Sequence, residues 1–211
     1  MDFAIRTSPL YNTPMLTVCV QAGGASSRMG EDKALKPFLG RPLIQRVVER
    51  LTPIADELIV TTNRPDEYRF LGLRLFSDLK PDRGALGGLY TAIASAAQPI
   101  VAVAACDMPF ASAALLEAMS RLLVEKEADA VIAKSDEGYE PFHAVYRRAT
   151  CLPAIEAAID AGQWKVIAWF PQVKVHTLTS EDVRKYDPSG LAFWNVNTPE
   201  EFAKAEELAI S

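Results

Sequence analysis

The sequence has little of what metal scaffolds, disulfide frameworks and membrane spans are made from. Its 211 residues include 2 histidines, His143 and His176, and 3 cysteines, Cys19, Cys106 and Cys151. The cysteines lie far apart, which excludes a paired-cysteine zinc site. Their odd number suits a reduced cytoplasmic protein better than a disulfide framework. No apolar run is long enough to span a bilayer. Residues 1–15, with Ser8, Pro9, Asn12 and Pro14, lack the basic start and apolar stretch of a signal peptide and read as an irregular extension. A soluble, cytoplasmic chain with no membrane partner is expected. Excess positive charge is missing as well: the net charge is −5, which argues against a nucleic-acid partner. Internal repeats and low-complexity tracts are absent. Two phosphate-binding fingerprints also fail. Gly23, Gly24 and Gly30 do not fit Gly-x-Gly-x-x-Gly, and no Gly-Lys pair occurs in this region, so the nicotinamide fingerprint and the Walker-type loop are both excluded.

What the chain does have is concentrated in Leu16 to Pro37. Val18 and Val20 suit a strand, and Ala22-Gly23-Gly24-Ala25-Ser26-Ser27 then contains no large side chain. Such a segment lets a ligand approach the backbone, whose N–H groups can converge on an anion. Arg28 and Lys33 add full positive charges beyond it, with Lys36 and Arg41 following. Small residues followed by cations form the arrangement a polyphosphate needs, and the stretch is read as a nucleoside triphosphate loop. A plain strand-to-helix turn would explain the glycine pair but not the charges behind it.

The remainder alternates. A helix is expected from Pro42 at its first position through Leu51, ended by Pro53. Strands follow at Leu58–Thr61 and Leu73–Phe76, with Asn63-Arg64-Pro65-Asp66 as a turn between them. Gly84–Gly88 closes a polar loop, and Leu89, Ile93 and Ala97 mark a helix face. Ile100–Ala105 is uniformly apolar, as a strand covered on both faces should be. Ser112 is placed to cap a helix carrying Leu115, Met119, Leu122 and Leu123, and Ala130–Ala133 is a further strand. From about residue 134 the style changes. Glu140–Tyr146 alternates like an exposed strand, a helix from Leu152 to Ala161 stops at Gly162, Val173–Leu178 reads as a strand, and Phe193–Asn197 reads as another with both asparagines on one side. Thr198-Pro199-Glu200-Glu201 fits a capping box. The fold class this predicts is α/β: a Rossmann-like three-layer sandwich around a mostly parallel sheet, with a nucleotide-binding part at about 16–133 and an acceptor-binding part at about 134–211 of one domain.

In open α/β sheets ligands bind outside the C-terminal strand ends. The glycine loop, Asp78 and Asp107 all fall there. Asp107 is the metal candidate, because Mg²⁺ (or Mn²⁺) beside phosphates takes one or two protein carboxylates plus substrate oxygens; a helix-capping role for it is made redundant by Ser112. Asp78 has three readings: contact to base or ribose, a place in the metal shell, or a strand-end turn residue. Lys33 would act as a point cation and Arg28 as a bidentate grip on phosphate, against the bland reading of both as solvated surface charge.

The run Ala22-Gly-Gly-x-x-x-Arg-Met-Gly-x-Asp-Lys33 closely resembles the signature of the molybdenum cofactor guanylyltransferases, within the wider group of sugar-1-phosphate and cofactor nucleotidyltransferases. The resemblance runs from about Val18 to Leu208. Gly84-Ala-Leu-Gly-Gly88 looks like the family's Gly-Pro-Leu-Ala-Gly, and Asn195-Val-Asn-Thr-Pro-Glu-Glu201 resembles its terminal motif. It implies the nucleotide-diphospho-sugar transferase fold and transfer of GMP from GTP to molybdopterin-bound molybdenum cofactor, with pyrophosphate released. By the same resemblance Gln21, Ala22, Gly23, Gly24, Lys33, Asp78 and Asp107 bind the nucleotide, and Lys33, Arg28 and Asp107 carry catalysis. Asp107 and Asn197 would hold the metal, while Asn195, Asn197 and Glu140 would lie near the acceptor. Partners that deliver the cofactor and molybdoenzymes that receive it are implied as well. Two positions depart from the pattern: Gln21 replaces a leucine, and Thr61 stands where some relatives carry an asparagine. A cytidylyl- or sugar-1-phosphate nucleotidyltransferase on the same fold stays open, as does a non-catalytic nucleotide-binding module. Ala-Gly-Gly, Asp32-Lys33 and the Asn-x-Asn-Thr-Pro ending favour the guanylyl reading over the first, and Lys33 together with Asp107 speaks against the second.

Overall fold

The computed structural model describes residues 15–22 and 32–210. The N-terminal extension up to residue 14, Gly23, Gly24 and Arg28 lie outside these residues. Strand β1 (Leu16–Gln21) is followed by a 3-10 turn at Lys33–Leu35, the short pair β2 (Pro37–Phe38) and β3 (Arg41–Pro42), helix α1 (Leu43–Leu51), β4 (Glu57–Thr61), the short helix α2 (Pro65–Tyr68) and β5 (Arg74–Phe76). Then come α3 (Gly84–Ser95), β6 (Ile100–Ala105), α4 (Ala113–Glu125), β7 (Ala130–Ser135), β8 (Gly138–Tyr139), β9 (His143–Arg147) and α5 (Arg148–Asp160). The chain closes with β10 (Val175–Leu178), α6 (Ser180–Arg184) and α7 (Pro199–Ile210).

The main sheet runs β10-β7-β9-β6-β1-β4-β5, with β8 paired to β7. The pairs β1–β4, β1–β6, β4–β5 and β7–β10 are parallel, while β9 is antiparallel to both β6 and β7. Period-two alternation sends successive side chains to opposite layers. Val18 and Val20 join Ile44 and Val47 of α1 and Leu115 and Met119 of α4 on one face. Cys19, Val101 and Val103 meet Leu86 and Leu89 of α3 and Ile155 of α5 on the other. The sandwich is therefore three-layered, as the strand-helix alternation predicts. No described helix is long and apolar enough to cross a membrane.

Several local expectations change. Pro42 is extended and pairs with Pro37, so α1 begins one residue later, with Pro42 as its N-cap. Gly84–Gly88 belongs to α3 rather than to a loop. The reason is packing: Leu86 and Leu89 are fully buried, and their burial outweighs the poor helix propensity of the glycines. Strand β9 is not exposed but inserted between β6 and β7, with His143, Ala144, Val145 and Tyr146 all buried. Phe193–Asn197 is not a strand. Its polar groups bond locally and to the sheet edge instead: Asn195 Nδ2 donates to Phe193 O at 3.2 Å, and Val196 N donates to Asp107 O at 2.9 Å. Ser112 caps α4 through the Leu115 N–H at 3.2 Å, and Gly162 ends α5 at a φ of 73°, both as read from sequence.

His143 is fully buried, and its Nε2 accepts the Ser112 N–H at 2.9 Å. That contact requires the neutral ring to carry its proton on Nδ1, which has no partner among the described residues. Burial lowers the His143 pKa from 6.5 to about 4, against small upward pulls from its own backbone bond and Asp187. The unfolded chain therefore takes up a proton that the folded state refuses between those two values. Stability contributed by this residue is intact above pH 6.5 and falls as pH drops toward 4. Urea unfolding should show His143 removing about 2 kcal/mol between pH 7 and pH 5, and His143→Gln should flatten that part of the slope. Identical slopes in the two proteins would contradict the assignment.

Candidate active site

The C-terminal ends of β1, β4, β5 and β6 open onto one cleft of about 1010 Å³, at the upper end of the range for small-molecule sites. Its floor is the end of β1. Gln21 is 8% exposed and lies in register with Thr61 on one side and Ala105 on the other. Ala22 N donates to Thr61 O at 2.8 Å, and Cys106 N donates to Gln21 O at 3.0 Å, so both flanking strands carry the pairing one residue past the sheet.

Lys33 reaches the cleft because Asp32 caps the turn that begins with it. Asp32 Oδ1 accepts the Ala34 N–H at 3.1 Å, while Oδ2 accepts from Tyr68 and Arg64. Lys33 Nζ then donates to Asn197 Oδ1 at 3.0 Å, closing a link across 164 positions of sequence. Asn197 is fixed from behind: its own N–H and that of Thr198 donate to Glu201 Oε2 at 2.6 and 3.0 Å, and Glu201 N returns a bond to Thr198 Oγ1 at 3.1 Å. This is the capping box expected of Thr198-Pro199-Glu200-Glu201, and it presents Asn197 at the start of α7. The Val196–Asp107 backbone bond ties the same segment to the end of β6.

Asp107 follows that strand end. Burial pushes its carboxyl above the usual range, with its own backbone bond and the charge of Lys33 pulling it partway back. Burial and the adjacent Asp107 also raise the Cys106 thiol well above its ordinary value, so it is held protonated and is no nucleophile. On the opposite wall Asp78 is paired reciprocally with Asn63: Asn63 Nδ2 donates to Asp78 Oδ2 at 2.7 Å, and Asp78 N donates to Asn63 Oδ1 at 2.9 Å. Glu140 lines the far side and accepts from Ser135 Oγ at 2.7 Å, with burial raising its pKa.

Gln21, Ala22, Lys33, Asp78, Asp107, Glu140, Asn195 and Asn197 thus face one cleft. Arg28, Gly23 and Gly24 lie outside the described residues. Sequence reading missed Asn63 and the Asp32–Tyr68–Arg64 group. The signal for Asn63 is its position just past β4, where turn chemistry alone also accounts for an asparagine. Nothing in sequence pairs Asp32 with Tyr68, because the contact spans 36 residues.

Residues 18–176 match the MobA-like NTP transferase domain. The chain belongs to this family. A molybdenum cofactor guanylyltransferase of Desulfosudis oleivorans is 34% identical over 90% of this chain and 94% of its own length. A probable molybdenum cofactor guanylyltransferase of Carboxydothermus hydrogenoformans is 36% identical over 90% and 94%. Among solved structures, molybdopterin-guanine dinucleotide biosynthesis protein A from Archaeoglobus fulgidus superposes with a TM-score of 0.79 at 28% identity, covering 92% of this chain and 98% of that one. The 4-diphosphocytidyl-2C-methyl-D-erythritol synthase of Anaerococcus prevotii, at 15% identity and a TM-score of 0.65, shares the fold. MobA-like membership makes the chain a nucleotidyltransferase.

The first turns of α3 form one cleft wall of this MobA-like domain, and their glycines differ in what they tolerate. A Cβ on Gly87 would lie 2.6 Å from Lys80 O and 2.8 Å from Arg83 Cβ, whereas one on Gly88 would lie 3.1 Å from Gln21 Nε2, the end of a flexible side chain. Gly87→Ala should therefore destabilise by roughly 1–3 kcal/mol in urea unfolding as the Lys80–Arg83 loop is forced away. Gly88→Ala should stay within about 1 kcal/mol of the parent, since helix propensity offsets the displaced amide. Equal losses would show that the wall is not held by this contact.

Proposed function

We propose that this chain transfers GMP from GTP to the molybdopterin-bound molybdenum cofactor and releases pyrophosphate. The observation that carries the reading is the linkage of Lys33, Asn197 and Asp107 at the C-terminal edge of the sheet. It brings a cation, an amide oxygen and a half-buried carboxylate to the place where a triphosphate would lie. The named relatives and the Archaeoglobus neighbour point to guanine and to molybdopterin. The phosphate of the acceptor would attack the α-phosphorus in line, so no protein nucleophile is needed. That fits a cleft whose thiol, Cys106, is held protonated.

The donors present suit Mg²⁺. Among the described residues no group of three or more Asp, Glu, His or Cys side chains could cage an ion. A site with one carboxylate, Asp107, is the kind that Mg²⁺ completes with substrate phosphate oxygens and water. Bound there, Mg²⁺ would offset charge on the phosphates. Asn197 Oδ1 is occupied by Lys33 in this structure. If Lys33 Nζ turned from that oxygen to a phosphate, Asn197 Oδ1 would be freed as a second oxygen donor to an ion held beside Asp107. Asp78, steadied by Asn63, would receive the nucleoside, and Glu140 and Asn195 would flank the acceptor. Arg28 would add a bidentate grip on phosphate. A cytoplasmic location and partners that deliver and receive the cofactor belong to the same reading.

The test follows pyrophosphate with each of the four nucleoside triphosphates, Mg²⁺ and molybdenum-loaded molybdopterin. GTP should be preferred, and release with CTP in preference to GTP would overturn the guanylyl assignment. Lys33→Ala should lower kcat/KM by roughly 100-fold, the scale of one lost transition-state donor, with much of it in kcat. Asp107→Ala should remain folded and lose nearly all turnover. Wild-type turnover by Asp107→Ala at saturating Mg²⁺ would remove it from the metal site.

A further inference from the structure

We propose that Tyr68 is a positioning residue for Lys33, acting through the carboxylate of Asp32. Tyr68 ends α2 and is fully buried among the apolar side chains between the sheet and α1. Its hydroxyl donates to Asp32 Oδ2. Burial, reinforced by that bond, holds the phenol far above its usual range, so it remains a donor at every working pH. The other partner on Oδ2, Arg64, is half exposed and divides its guanidinium between Asp32 and Glu67. An exposed, shared ion pair fixes geometry weakly, whereas a donor on a rigid buried ring fixes it well. The Asp32 side chain is itself only 11% exposed.

The consequence lies one residue on. With Oδ2 held by Tyr68, Oδ1 is aimed at the Ala34 N–H at 3.1 Å, and this caps the turn that contains Lys33. Ala34 is buried, so the turn is pinned on both sides of Lys33. From that pinned turn Lys33 spans to Asn197. Loss of the Tyr68 hydroxyl leaves Asp32 free to follow Arg64 toward solvent, which would unfasten Ala34 and let the Lys33 amine wander. Asp32→Asn should act in the same direction: an amide offers one acceptor oxygen and cannot serve Ala34 and Tyr68 as the carboxylate does.

This rests on the proposed action of Lys33 on the nucleotide, and two readouts keep the ideas apart. Tyr68→Phe and Asp32→Asn are made alone and with Lys33→Met, and GTP-dependent pyrophosphate release gives kcat and KM. In the nucleotide-free protein, the rate at which Lys33 reacts with an amine-acylating reagent is followed by mass spectrometry. Tyr68→Phe should lower kcat/KM by about 10-fold, mainly in kcat, because the amine is misplaced rather than lost. In the Lys33→Met background the same change should cost less than about 2-fold, since the residues act as one unit. Lys33 should be acylated several times faster in Tyr68→Phe than in the parent. Equal losses in both backgrounds, or unchanged acylation, would overturn the inference and make Tyr68 a packing residue. Absence of turnover in the parent would defeat the guanylyl reading, and the acylation rate would still decide whether Tyr68 holds Lys33.

Discussion

The parallel pairing of β1 with β6, from Leu16 opposite Ile100 to Gln21 opposite Ala105, positions everything else at the cleft. Both strands are buried on both faces, so a slip of one residue would turn the Val18 and Val20 side of β1 into the Cys19 side and break both core layers at once. The register is therefore strongly specified. Its end point is what matters for chemistry: Gln21 and Ala22 finish level with Ala105 and Cys106, so the entrance to the glycine segment and the Asp107 carboxylate leave the sheet side by side. A second parallel pairing, β1 with β4, brings Thr61 and then Asn63 to the same edge.

On that platform the site is assembled by few polar contacts of long sequence range. Asp32 meets Tyr68, Lys33 meets Asn197, and Val196 meets Asp107. Each joins a segment leaving the sheet to one packed beside it. None depends on a long run of regular structure, and the capping box at α7 supplies the rigidity that Phe193–Asn197 lacks as irregular backbone. Lys33 lowers the cost of an ionised Asp107, but burial still dominates that carboxyl.

Much of this was legible in sequence where local rules and tertiary packing agree. Ile100–Ala105 is apolar throughout and forms the central strand at those limits; Ser112 and Gly162 sit where capping demands. Reading failed where long-range contacts decide. Glu140–Tyr146 has alternating chemistry, yet both faces are covered because β9 is wedged antiparallel between two strands that come earlier in the chain. The Phe193–Asn197 asparagines share a destination without sharing a strand. The Gly84–Gly88 run has loop composition and becomes helix because Leu86 and Leu89 pack beneath it. At the site, Lys33, Asp78 and Asp107, which line the cleft, were found from strand-end position and charge, and Gln21, Glu140, Asn195 and Asn197 through the family resemblance. Those that hold them, Asn63 and Tyr68, were not, since their role exists only through partners distant in sequence.

Segments from four parts of the chain converge on one edge, where the proposed function has them receive a nucleoside triphosphate with its metal. Backbone amide NMR of the nucleotide-free protein, titrated with GTP and Mg²⁺, tests it most directly. Shifts should concentrate at Gln21, Lys33, Asn63, Asp78, Asp107 and Asn197, with Asn197 responding alongside Lys33 as their hydrogen bond is exchanged. Shifts centred on the opposite end of the sheet, or a silent Asn197 when Lys33 moves, would contradict it.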